Sequence, residues 1–230
     1  MGTCCFGRPP VMEDDGPALS SADRLEAPWV FRGRDMGRIL ALSDGVFAFA
    51  MTLLVLGLVL PIGTSGGAVA AYFQTQPFKT ALYTYVLTFF VIGMWWQGHH
   101  LVFGYIQRYD RELIRLNSVF LVLMAILPFA TIALNAAGSA PIGVGFFGVI
   151  QVAAGLSLSA LWWYSSGPGN LVGEAFPDEW RRYLLRSSLY MPVVFAASIP
   201  VAVYVGVNYA EGSWLLVFLL WFISRRHART

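Results

Sequence analysis

The chain has 230 residues, 57% of them apolar and 12% charged, with a net charge of +2 and a mean hydropathy of +0.62. Soluble domains carry about 25% charged residues. The composition therefore excludes a soluble globular domain, a disordered chain and a disulfide-stapled secreted module, and indicates an integral membrane protein.

Residues 1–31 are polar and Pro-bearing, with Glu13, Asp14, Asp15, Asp23 and Glu26 against Arg8 and Arg24, and are expected to form a mobile cytoplasmic tail. Cys4 and Cys5 are the only cysteines. As neighbours they are poorly placed to pair, and two thiols alone do not make a metal site. The Met-Gly-Thr-Cys-Cys-Phe start is close to an acylation signal but carries Phe6 where Ser or Thr is wanted, so lipidation is not expected. No signal peptide is visible in the first 38 residues.

From residue 32 onward the chain reads as one all-α membrane domain (32–230). Stretches 45–78, 80–107, 116–173, 187–210 and 212–224 lack Asp, Glu, Lys and Arg, and ~20 apolar residues cross a bilayer core of ~30 Å. The stretch 116–173 is too long for one crossing, and Asn135–Gly143 supplies the Gly and Pro of a turn. Six helices are expected, at about 37–60, 78–107, 113–135, 142–165, 180–207 and 210–226. Pro61 closes the first, 62–77 reads as a loop, and Pro177 with Asp178 opens the fifth. Pro128, Pro192 and Pro200 fall inside helices, as membrane helices tolerate. Trp29, Trp162, Trp163, Trp180 and Trp214 are expected in an interfacial belt. The glycines at 143, 145 and 148 are expected at helix-packing positions rather than in a nucleotide loop.

The cations are fourteen Arg and Lys79. Arg32, Arg34 and Arg38 precede the first helix, Arg108, Arg111 and Arg115 join the second to the third, Arg181, Arg182 and Arg186 precede the fifth, and Arg225, Arg226 and Arg229 follow the sixth. Six helices with both termini in the cytoplasm satisfy the positive-inside rule at every connection and leave Lys79 alone outside. The expected location is the cell membrane, with no nucleic-acid partner.

Few polar residues lie deep in these segments, and such residues are functional candidates by default. Asp44 lies six residues past Arg38, ~9 Å deeper, and His99 and His100 lie ~12–13 Å before Arg108 on the returning helix. They share a depth that Ser43, Trp96 and Asn117 can join. A buried polar network is expected there, with Asp44 neutralised by His or Arg. It reads first as a structural clasp. A proton relay and a metal site are alternatives, although His99 and His100 diverge by ~100° and suit joint ligation poorly. No filter loop of the Thr-Val-Gly-Tyr-Gly kind accompanies Gly104-Tyr105. A membrane enzyme is disfavoured, because no nucleophile–base or multi-His constellation is present.

At Arg38-Ile-Leu-Ala-Leu-Ser-Asp44 the sequence resembles the Arg-x-x-x-Phe-Ser-Asp signature of the transmembrane protein 175 family, lysosomal-type potassium channels and their bacterial relatives. The likeness continues through Gly45-Val-Phe-Ala-Phe-Ala-Met-Thr-Leu-Leu-Val-Leu56 and resumes at Trp96-Gln-Gly-His99-His100 with Phe103, at Asn117 and at Pro128-Phe-Ala-Thr131. It covers about residues 34–135, and the last three helices match mainly by hydropathy. Leu42 replaces the motif's Phe, and Gly57 stands where an acidic residue commonly follows.

The resemblance implies a potassium-preferring cation channel whose pore is lined by the first helix without a filter loop. It puts the hydrophobic constriction at Phe49, usually an aliphatic position, with Leu53 and Leu56 continuing the pore face and Thr52 beside it. Arg38, Ser43, Asp44, Trp96, His99, His100 and Asn117 would hold that helix in place. The signature occurs once, so a symmetric pore implies a homotetramer. No cofactor is implied beyond permeating potassium ions, and the partners are those ions, the lipid bilayer and further copies of the chain. The alternative is a proton-coupled secondary transporter using Asp44 and His99, a class that usually shows internal repeats. The preponderance of Arg over Lys points to a GC-rich bacterial genome.

Overall fold

The computed structural model describes residues 31–32, 36–60, 65–173 and 176–219. In chain order they form β1 (Phe31–Arg32), α1 (Met36–Leu53) with a 3-10 turn at Leu54–Gly57, α2 (Gly66–Phe73), α3 (Gln76–Phe103), β2 (Arg108–Tyr109), α4 (Arg111–Ala137), α5 (Pro141–Ser166), α6 (Asp178–Tyr204) and α7 (Val207–Ser213). Among the described residues, five helices are long and apolar enough to cross a membrane: α1 with its 3-10 turn, α3, α4, α5 and α6. The sixth expected helix, 210–226, begins earlier, at Val207. It is interrupted by a turn at Trp214, resumes over 215–219 and then leaves the described residues. The readings of residues 1–30 as a tail and of Pro61 as a helix stop also lie outside them.

Local chemistry sets the boundaries. Thr75 caps α3, accepting from the Phe78 amide, with Pro in the first turn. Asp110 caps α4, its carboxylate accepting from the Leu113 amide at 2.8 Å. The turn between α4 and α5 falls where the Gly and Pro residues placed it, with Gly138 at φ +57° and Pro141 opening α5. Pro177 likewise precedes the start of α6.

Several expectations are corrected. The stretch 62–77 is not all loop: Gly66–Phe73 is helical, and the Tyr72 and Phe73 rings pack on Phe78. The first helix tightens to 3-10 and ends at Gly57 rather than at 60. Phe31, assigned to the tail, is a strand residue. Trp163 and Trp180 are exposed as a belt requires, but Trp162 and Trp214 are buried in the bundle. Gly143 and Gly148 meet neighbouring helices closely, whereas Gly145 faces open space.

The core runs along the helix interfaces. The packing is most extensive between α4 and α5 and between α5 and α6, while α1 lies chiefly against α4. At Gly155 a Cβ would stand 2.1 Å from Pro192 Cγ, so α5 and α6 approach as they do only because this position has no side chain. One end of the bundle is woven together by backbone pairing. β1 pairs antiparallel with β2, matching Phe31 with Tyr109 and Arg32 with Arg108, and Ile106 bridges to Val172. The approach to α1, the α3–α4 connection and the α5–α6 connection therefore meet at one arginine-bearing end.

Candidate functional site

Toward that end of the bundle, α1, α3 and α4 bring the polar residues together. They do so as two assemblies rather than as one network. Ser43, His99 and Asn117 are 0%, 1% and 3% exposed. His99 Nε2 lies 2.9 Å from Asn117 Oδ1, Asn117 Nδ2 donates to Ser43 Oγ at 3.1 Å, and Ser43 Oγ donates to the Ile39 carbonyl at 2.9 Å. An amide oxygen only accepts, so His99 Nε2 must carry the proton here. The bonds then run one way from His99 to a backbone carbonyl. Phe47, Phe103 and Phe120 surround the His99 ring, with centroids 5.5, 4.3 and 5.7 Å away. That aromatic box was not anticipated. Helical spacing carried the signal, since Phe47 follows Ser43 by four residues, Phe103 follows His99 by four and Phe120 follows Asn117 by three.

The second assembly faces outward. Trp96 Nε1 donates to Asp44 Oδ1 at 2.8 Å, and the Trp96 and His100 rings stack with centroids 5.6 Å apart. Asp44, Trp96, His100 and Arg38 are all exposed on the single subunit. This corrects two expectations. Asp44 is not buried, and among the described residues no Arg or His forms an ion pair with it; the indole N–H is its partner. Successive residues on a helix diverge by about 100°, so Ser43 and Asp44 cannot face the same neighbours. The same rotation separates His99 from His100. Among the described residues, no three His, Cys, Asp or Glu side chains come together as a metal site would require.

The remainder of α1 shows the same division. Ser43, Phe47, Ala50 and Leu54 are buried, one stripe at helical spacing. Opposite them Leu42, Phe49 and Leu56 are 62%, 65% and 65% exposed. Thr52 is exposed as well, its hydroxyl turned back to the Phe49 carbonyl at 2.9 Å. Leu53 is only half-buried, at the edge between the stripes. Leu42, which replaces the motif's Phe, has little contact within the subunit. Gly57 has a local reason to lack a side chain, since a Cβ there would stand 3.3 Å from Ile132 Cγ1.

Comparison with known proteins points the same way. The sequence profile of the family described as endosomal/lysosomal potassium channel TMEM175 matches residues 38–128, which run from Arg38 through both assemblies. A potassium channel of Streptomyces collinus is 37% identical over 142 residues, 60% of this chain and 68% of that protein. A potassium channel of Chamaesiphon minutus is 30% identical over 156 residues, 65% of this chain and 74% of its own length. The crystal structure of a lysosomal potassium-selective channel TMEM175 homologue from Chamaesiphon minutus superposes with a TM-score of 0.71 at 22% identity, covering 84% of this chain and 99% of that one. The fold is therefore shared with that structure.

Proposed function

The chain belongs to the TMEM175 family, and from that membership we propose that it is a potassium-selective channel in which four copies set α1 around a common pore. One observation supports this reading above the others. The stripe of α1 turned away from its own subunit bears Leu42, Phe49, Thr52 and Leu56, and the same helix also exposes Asp44, held by Trp96. Lipid would leave that carboxylate in a medium that penalises charge by several kcal/mol. A ring of identical subunits covers it and gives Arg38 of a neighbour a place to meet it.

The arginine-bearing end is then cytoplasmic, together with both termini, in a cell membrane. Four Phe49 side chains close to the axis form an apolar ring, continued by Leu53 and Leu56, with Thr52 beside it. An ion in such a ring sheds water without gaining ligands, so the ring closes by dewetting and conducts when α1 moves outward. The buried Ser43–Asn117–His99 run holds α1 to α3 and α4 as a clasp. A transporter that passes protons between Asp44 and His99 draws little support from the geometry, because the two belong to different assemblies.

Mass measurement of the purified protein in detergent, followed by potassium-versus-sodium flux in liposomes, tests the reading. A tetramer with a potassium-dominated flux is expected. A monomer, or a saturating flux that requires a proton gradient, overturns it.

A further inference from the structure

We propose that the α3–α4 connection, residues 106–110, is a latch that sets where α1 sits, with Asp110 and Tyr164 as its positioning residues; the proposal rests on the channel reading above. Four ties converge on these few residues. The backbone of Arg108–Tyr109 pairs with Phe31–Arg32, and only four Cα steps separate Arg32 from the first residue of α1, a reach of at most about 14 Å. Gln107 N and Arg108 N both donate to the Leu171 carbonyl, at 2.9 and 3.2 Å, which joins the connection to the segment after α5. Tyr164, near the end of α5, donates its hydroxyl to Asp110 Oδ2 at 2.5 Å. Asp110 Oδ1 caps α4, on which Asn117 sits two turns further along to bond Ser43 of α1.

The latch thus grips α1 twice. It holds the approach to the helix through the strand pair, and it sets the position of Asn117 through the cap of α4. Its own Ile106 and Tyr109 are buried, as are Leu171 and Val172 of the segment it meets, so it is a packed unit rather than a loose loop. Outward movement of α1 at this end must loosen the strand pair or the cap. A two-stranded pair of two residues each is marginal by itself, which suits an element that has to open.

The test uses the full chain with Cys4 and Cys5 replaced by Ser. Phe31→Cys with Tyr109→Cys, and independently Arg32→Cys with Arg108→Cys, place thiols at directly opposed strand positions. Such pairs stand about 4.5–5.5 Å apart at Cα, within disulfide range. Oxidation is expected to produce the bridge, seen as a gel shift, and to lower the open probability about tenfold, restored by reductant, with unit conductance and reversal potential unchanged. A formed bridge that leaves the open probability unaltered overturns the latch. So does failure of both pairs to bridge.

Tyr164→Phe removes only the hydroxyl and is expected to raise the open probability about tenfold, the scale of one hydrogen bond to a carboxylate. Hydrogen exchange gives a readout independent of current: Tyr164→Phe should speed exchange over residues 36–42 while leaving 47–53 unchanged. Unaltered exchange over 36–42 overturns the latch whether or not the protein conducts. Accelerated exchange in a protein that passes no potassium overturns the channel reading and leaves the latch standing.

Discussion

Ser43 and Asp44 are neighbours in sequence with opposite fates, and so are His99 and His100. Ser43 and His99 are buried and joined through Asn117, with three phenylalanine rings around the His99 imidazole. Asp44 and His100 stand on the outer surface of the same helices, where the Trp96 indole is the carboxylate's hydrogen-bond partner among the described residues. One residue of helical rotation separates a finished site from an unfinished one. In the proposed tetramer the buried site would hold the subunit together, and the outward one would be where subunits meet.

Substitutions can break that contrast. The largest effect is expected from Asn117→Leu, which strands the buried His99 N–H and removes the donor to Ser43 Oγ, leaving Ser43 only its bond to the Ile39 carbonyl. The loss should be about 2–4 kcal/mol, from about 1–3 kcal/mol for the orphaned His99 N–H and about 1 kcal/mol for the lost bond to Ser43, read as thermal unfolding in detergent. A variant as stable as the parent would show that the run of hydrogen bonds does not hold α1. Asp44→Ala is the complement: the subunit should keep its unfolding temperature and lose its tetrameric mass. A stable, conducting tetramer of this variant refutes the assignment of the outer assembly to subunit contact.

Two pore substitutions sharpen the comparison between the stripes of α1. Phe49→Asn should raise current and lower potassium selectivity in single-channel recordings. Leu53→Asn should do the same to a smaller extent, because Leu53 is half-buried while Phe49 is open. Equal effects, or unchanged reversal potentials in both, count against a pore centred on Phe49. The smallest effect is expected from Trp96→Phe, which keeps the ring on His100 and removes one N–H. A change of about 0.5–1.5 kcal/mol, visible in tetramer dissociation rather than in subunit unfolding, is the expected result.

The shared depth of Asp44, the His pair and Asn117 was legible from helix rise, the turn within Asn135–Gly143 from its Gly and Pro residues, and the divergence of His99 from His100 from helical rotation. The profile match over 38–128 falls within the 34–135 that the motifs delimited. What could not be read was which way each helix faces. Trp162 and Trp214 lie near helix ends, as belt residues do, but the rotation of their helices turns them inward. α2 escaped notice because its Gly66-Gly67 start signals a loop, while the Tyr72 and Phe73 contacts with Phe78 that support it are tertiary.

Composition and spacing, by themselves, determine that this chain spans a membrane, where it turns, which connections carry the arginines and which polar residues share a layer. These follow from rise per residue and from the cost of charge in hydrocarbon, both local quantities. The tertiary structure alone decides that Asn117 chooses Ser43 and His99, that Trp96 rather than an arginine takes Asp44, and that Phe31–Arg32 pairs with Arg108–Tyr109. Partner choice depends on how each helix is rotated against the others. That rotation is set jointly by contacts such as Gly155 on Pro192, which join residues far apart in sequence and have no local signature.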